Sequence, residues 1–329
     1  MKKQRNCKIL AACMITCLSV GGCQWKDSPS IVETVFPVEK VFEVGGEVCT
    51  LPEAKVILTN YQNMYATMYG IDLWGHGLEG NDLETYVKDL TVARLAQIMA
   101  MDHLAQEKGI SLDEEELDKI KEASEAYFNS LNDAEKAYMD VAAEDIETLY
   151  RRYGLANKLY TYLTEGVDHE VSDDEARIME AQQIVVSEKS TAKEVSEQLK
   201  SGADFLSVAS VYNEEAETEV TFGRSDVPKE VEEEAFSLEN DQVSGRIQTE
   251  EGYYFIKCIN HFNQEKTDVN KSVILEKRRK EAFDGAYLAF LDTLPSEIYE
   301  DTWDAVQVKV QKDVKTDSFF EVYEQYCGW

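Results

Sequence analysis

The sequence predicts an α+β chain, mostly helical, with one small sheet and its surrounding helices set into the middle. Three observations predict it. Apolar residues recur at helical spacing behind repeated cap signals from about residue 50 to 165. β-Branched residues gather at Ala181–Val186 and again at Tyr253–Ile259. Helical spacing then returns after residue 264.

Taken in order, Val41–Thr50 with its E-V-G-G-E-V-C-T phrase reads as a strand and turn, and Thr50 with Glu53 forms a capping box that opens a helix closed by Gly70. Asn81 with Glu84 repeats the signal before a long amphipathic run through Leu90, Leu95, Ile98, Met99 and Leu104. Ser111 with Glu114 is expected to open a third helix reaching Leu131, followed by helices over Ala134–Ala142 and Asp145–Leu163. Ser172 with Glu175 caps a short helix that leads into the first strand of the middle segment. Beyond residue 264, Ala282, Ala286, Phe290 and Leu291 keep helical spacing, and Val306–Val310 alternates like a strand. The chain ends in the aromatic residues Phe319, Phe320, Tyr323, Tyr326 and Trp329.

At the start, Lys2, Lys3, Arg5 and Lys8 precede the apolar stretch Ile9–Val20, the order of a secretory signal. That stretch is shorter than the ~20 apolar residues a membrane-spanning helix needs. Val20-Gly21-Gly22-Cys23 resembles the lipobox of bacterial lipoproteins, which implies cleavage before Cys23 and lipid on its sulfur, an anchor that tethers without spanning. Three other cysteines remain, Cys49, Cys258 and Cys327, with no spacing that suggests disulfides or a metal knuckle.

The chain carries 64 acidic and 33 basic residues, a net charge of −31, and removing the four cations of the signal takes it to −35. Such a surface repels nucleic acid and anionic lipid, so no nucleic-acid partner is expected. His76, His103, His169 and His261 lie far apart without ligand spacing, and neither a nucleophile elbow nor a phosphate-binding glycine loop is present. No metal and no cofactor is expected.

The middle segment carries the strongest signal. Leu199-Lys200-Ser201-Gly202-Ala203-Asp204-Phe205, and then Asp241-Gln242-Val243-Ser244-Gly245-Arg246-Ile247-Gln248-Thr249-Glu250-Glu251-Gly252-Tyr253-Tyr254-Phe255-Ile256-Lys257-Cys258, keep the phrases and spacing of one family over about 85 residues. The segment resembles the parvulin-type peptidyl-prolyl isomerases. The resemblance implies a small antiparallel sheet with surrounding helices and rotation about X-Pro amides, a reaction that requires no nucleophile or metal. It assigns the proline pocket to Val227, Val231 and Phe236, two of them trimmed to valine, which implies a wider and shallower cup. The family's two facing histidines correspond to Gln183 and Tyr254, and its cysteine or aspartate position falls near Glu215. Glutamine and tyrosine are able to bond each other across adjacent strands. Tyr253 is expected to face the opposite side from Tyr254, because strand neighbours alternate.

The helical region, with the phrase Ala105-Gln106-Glu107-Lys108-Gly109-Ile110-Ser111, is similar in layout to foldase lipoproteins of the PrsA and SurA type. The resulting division is a signal over 1–22, a spacer over 23–40 and an N-terminal helical, chaperone-like domain over 41–171. An inserted parvulin domain occupies 172–264, and a C-terminal helix and tail over 265–329 return to the helical domain. The expected partners are unfolded or proline-containing exported polypeptides, with the membrane reached through the anchor; the pattern sets no oligomeric state. The expected function is extracytoplasmic isomerisation and folding at reduced activity. The alternative is a non-catalytic chaperone or scaffold on the same fold.

Overall fold

The computed structural model describes residues 39–69, 83–308 and 311–328. The signal, Cys23, Gly70, His76 and the Asn81 cap lie outside these residues. The element order is β1 (Lys40–Val44), β2 (Glu47–Thr50), α1 (Leu51–Tyr69), α2 (Leu83–Glu107), α3 (Glu114–Ser130), α4 (Asp133–Met139) and α5 (Ala143–Thr164). Then come α6 (Asp173–Ala176), β3 (Met179–Val186), α7 (Lys189–Lys200), α8 (Phe205–Tyr212), β4 (Glu219–Phe222), α9 (Lys229–Ala235), β5 (Ile247–Gln248) and β6 (Tyr253–Asn260). The chain closes with α10 (Gln264–Leu291), β7 (Ser296–Ile298), α11 (Glu300–Asp304) and α12 (Phe319–Cys327). The described residues are thus mostly helical with two small antiparallel sheets, ordered β2-β1-β7 and β4-β3-β6-β5. No described helix is long and apolar enough to cross a membrane.

Two compact units result, one of residues 166–282 and one formed by the described residues before and after them. In the helical unit the β1–β2 hairpin turns at Gly45 and Gly46, both at positive φ, a conformation glycine adopts without steric cost. The Thr50/Glu53 box is formed, with the Thr50 amide donating to Glu53 at 2.8 Å. The third helix starts differently from the expectation, because Asp113 and Glu116 make the reciprocal box instead of Ser111 and Glu114. That register puts Leu112 before the cap and Leu117 at the fourth helical position, the two places a hydrophobic staple occupies.

The expected strand at Val306–Val310 is absent from residues 306–308, which lie in irregular chain; residues 309 and 310 fall outside the described set. Val306 and Val308 are buried in alternation, but side chains serve their backbone. Lys88 donates to the Val306 carbonyl at 2.9 Å, and the Val308 amide donates to Glu84 at 3.1 Å, so no neighbouring strand is required.

The aromatic tail docks on the helical body. Phe319 sits edge-on to Tyr127 at 5.3 Å and against Tyr150 at 4.5 Å between ring centres. Its amide donates to Asn60 at 3.0 Å and its carbonyl accepts from the Tyr150 hydroxyl at 2.7 Å. Buried Glu135 accepts from the amides of Lys315 and Thr316, both at 2.8 Å. Burial pushes the Tyr127 phenol up to about 12, so it stays a neutral hydrogen-bonding group.

In the second unit, period-two alternation gives the four-stranded sheet two different faces. One packs Ile184, Val186 and Phe255 against Val195 of α7 and Phe205 and Val208 of α8. The other packs Met179, Ala181, Ile256 and Cys258 against Val231 and Ala235 of α9. Asp204 caps α8 by accepting from the Ser207 amide at 2.9 Å.

Removing the Phe319 ring deletes a wholly buried aromatic that three elements share. Phe319→Ala is expected to destabilise the helical unit by about 3–5 kcal/mol. Chemical denaturation followed by helical circular dichroism measures it, and a loss below ~1 kcal/mol would show that the tail lies outside the cooperative body.

Candidate functional site

Of the sequence-assigned residues, Val227, Val231, Phe236 and Tyr254 gather on the α9 face of the sheet. The connection from β4 into α9 is held by its own polar groups: the Gly223 amide donates to Asp226 at 2.7 Å, and the Ser225 amide to Glu232 at 2.8 Å. Arg224 pairs with Asp174 at 2.6 Å and with Glu232 at 3.2 Å. Pro228 then sits at the N-cap of α9, with its carbonyl accepting from the Val231 and Glu232 amides at 2.9 Å.

Val227, Val231, Phe236 and Tyr254 belong to one apolar cluster with Phe222, Ile256 and Cys258. Within it, Val231 is 0% exposed, so it forms wall behind the surface, whereas Val227 is half-buried and Phe236 keeps 9% of its surface in solvent. Phe222 meets Phe236 edge-on at 5.9 Å. Two guanidinium groups lie over Phe236, Arg224 at 4.9 Å and Arg177 at 5.3 Å from the ring centre. Arg177 is fixed by donating to the carbonyls of His261 at 2.8 Å and Phe236 at 3.3 Å. These two arginines were not singled out in the sequence, since nothing in their spacing links residues 177 and 224 to a ring at 236.

Gln183 lies on the same face but does not bond Tyr254, contrary to the cross-strand bond considered from the sequence. The register sets Gln183 opposite Ile256 and Val185 opposite Tyr254, so the two polar residues are diagonal neighbours. Gln183 reaches the other way and donates to the Glu217 carbonyl at 3.0 Å. The Tyr254 hydroxyl turns to the Glu251 carboxylate at 3.4 Å. Burial raises the Tyr254 phenol above its ordinary value, with the charges of Glu251 and then Glu215 adding to the shift. Glu215 itself is exposed, in the loop before β4. Tyr253 packs on the opposite face, as alternation requires.

Chemically this is a half-open apolar seat edged by a neutral phenol and carboxylates. Cys258 lies beneath it, its thiol raised by burial and so protonated, a filler and not a nucleophile. Among the described residues no three potential ligands gather to hold a metal. Such a seat can hold a small ring and let its amide turn, and it offers no covalent step.

Residues 168–271 match the sequence family described as the PPIC-type PPIase domain. This segment is a parvulin-type PPIase domain. Over a longer stretch the chain is 25% identical across 260 residues to the foldase protein PrsA of Caldanaerobacter subterraneus, covering 72% of this chain and 80% of that protein. It is 26% identical across 211 residues to the PrsA of Halalkalibacterium halodurans, covering 56% of this chain and 63% of that one. Among solved structures, a PrsA peptidylprolyl isomerase from Bacillus cereus aligns at 21% identity with a TM-score of 0.39, over 73% of this chain and 90% of its own.

One residue of the PPIase domain's closing phrase is explained by backbone geometry alone. Gly252 has φ +155, and a Cβ there would lie 2.8 Å from the Val186 carbonyl oxygen. Its carbonyl also accepts from the Thr249 amide at 2.9 Å, closing the turn between β5 and β6. Gly252→Ala is expected to destabilise the PPIase domain by about 1–3 kcal/mol. Thermal unfolding with amide exchange at Thr249 tests this; unchanged protection would mean that the turn relaxes without cost.

Proposed function

We propose that this chain is an extracytoplasmic foldase that catalyses cis-trans isomerisation of X-Pro bonds in exported polypeptides, at a rate lowered by the residues standing in for the family's histidines. The observation that carries this reading is the placement of Val227, Phe236 and Tyr254 in one partly open apolar cluster on the sheet of the PPIase domain. The PrsA proteins named above are foldases by name, which supports the same activity here. Signal cleavage, a lipid on Cys23 and the spacer over 23–40 would hold the folded units outside the cytoplasmic membrane. Exported chains emerge unfolded, with X-Pro bonds that take tens to hundreds of seconds to exchange, so a tethered isomerase shortens their slowest step.

Uncatalysed rotation faces a barrier of about 18–20 kcal/mol. The domain lowers it by seating the ring against Phe236 and favouring the twisted amide, whose nitrogen gains lone-pair character, over the planar one. In this reading Gln183 and Glu215 act only through the field and hydrogen bonds around the seat. No cofactor takes part.

A second reading is favoured by one observation: Val231 is wholly buried and two guanidinium groups already cover the Phe236 ring, an arrangement that suits holding a segment better than turning it. The chain would then be a non-catalytic chaperone or scaffold on a parvulin fold.

Exchange NMR on the mature chain with a panel of X-Pro peptides separates the two. Accelerated cis-trans exchange that falls about tenfold or more in Phe236→Ala is expected of an isomerase; unaltered exchange alongside suppressed client aggregation would establish the chaperone. Gln183→His with Tyr254→His is expected to raise the exchange rate with little change in melting temperature. A folded double variant that is no faster would mean that those two positions do not limit turnover.

A further inference from the structure

The helical unit contains a cavity of 430 Å³ that none of the residues discussed above as a proline site line. Its size lies in the range of ordinary ligand sites. Four half-buried aliphatic side chains, Ile110, Leu112, Leu117 and Leu155, form its apolar lining. Asp102 also lines it and is 7% exposed, a buried carboxylate on α2. Among the described residues, its side-chain hydrogen bond comes from the Gln106 amide at 3.1 Å and no basic side chain forms an ion pair with it. A buried carboxylate without a cation is costly unless a donor comes to it.

Arg152, on the same lining, does not fill that role. Its guanidinium is held by Glu53 at 2.9 Å, with Glu47 at 3.7 Å, so two carboxylates answer one cation. Arg151 is exposed, and water and salt screen its charge. Burial still raises the Asp102 carboxyl, with the charges of Arg152 and His103 opposing that only in part, so this group among hydrocarbon is one that an added cation would hold ionised.

We propose that this cavity receives a cationic group on an aliphatic stem, specifically the side chain of a lysine in an extended polypeptide, with the methylenes against Leu117 and Leu155 and the ammonium donating to Asp102. A lysine stem buries its methylenes on apolar surface while its charge seeks a carboxylate. An aspartate or glutamate side chain would meet like charge at Asp102, and a norleucine would leave the carboxylate unanswered. The high negative charge of the whole chain draws basic segments toward it through opposite charge. The site lies wholly in the helical unit and stands or falls independently of prolyl isomerisation.

The test is a methyl NMR titration of the full mature chain with the peptide acetyl-Ala-Ala-Lys-Ala-Ala-amide and its norleucine and glutamate counterparts. The lysine peptide is expected to shift the methyls of Ile110, Leu117 and Leu155 and to bind about tenfold or more tightly than the norleucine peptide. Asp102→Asn, which keeps an acceptor for Gln106, is expected to remove that difference. Equal affinity of the lysine and norleucine peptides, shifts that avoid these methyls, or undiminished lysine preference in Asp102→Asn would each overturn the proposal.

Discussion

Strands β3 and β6 pair antiparallel from Glu180 opposite Asn260 to Val186 opposite Tyr253, and the PPIase domain depends on that register. The two strands lie far apart in sequence, so their pairing closes a long loop before any contact is gained. A slip of β3 by one residue would carry Ile184 and Val186 to the α9 face and Met179 and Ala181 to the other. Both helical layers would lose their partners at once. The same register puts Gln183 and Tyr254 on one face as diagonal neighbours, and this is why each finds a different hydrogen-bond partner.

The helical unit solves a different problem, that of fastening a late segment to an early one. Residues beyond 311 have little regular structure of their own before α12. What holds them is specific: Asn60 takes the Phe319 amide, Glu135 takes two tail amides, and three aromatic rings interlock around residue 319. β7 is likewise a strand only because β1 is there to receive it. Each bond satisfies a backbone group that burial would otherwise leave unpaired at a cost of about 1–3 kcal/mol.

These non-local fastenings mark the limit of what the sequence reveals. Local signals were legible: the Thr50/Glu53 box, the Ser172 cap, and the alternation that separates Tyr253 from Tyr254 all appear in the structure. Where two local signals overlapped, the third helix took the one at Asp113 and Glu116, whose reciprocal hydrogen bonds cap it. Alternation at Val306 and Val308 misled because it reports burial on one side, not a ladder. At the site, the apolar character of Val227, Val231 and Phe236 was readable, and the three share one cluster. The guanidinium groups over Phe236 were not, since only the folded chain brings residues 177, 224 and 236 together.

That pair of arginines bears on what the seat can do. A cation over an aromatic face contributes about 0.5–2 kcal/mol, so the Phe236 ring is held in one orientation instead of being free to adapt. Arg224 is neutralised by Asp174 and Glu232, and Arg177 is spent on main-chain carbonyls, so neither is an idle charge poised for the twisting amide. The Tyr254 hydroxyl, on a residue of the same cluster, already donates to Glu251. A tenfold change in rate needs only about 1.4 kcal/mol of difference between planar and twisted amides. On the isomerase reading proposed above, an apolar seat of fixed shape would supply that difference without the family's histidines.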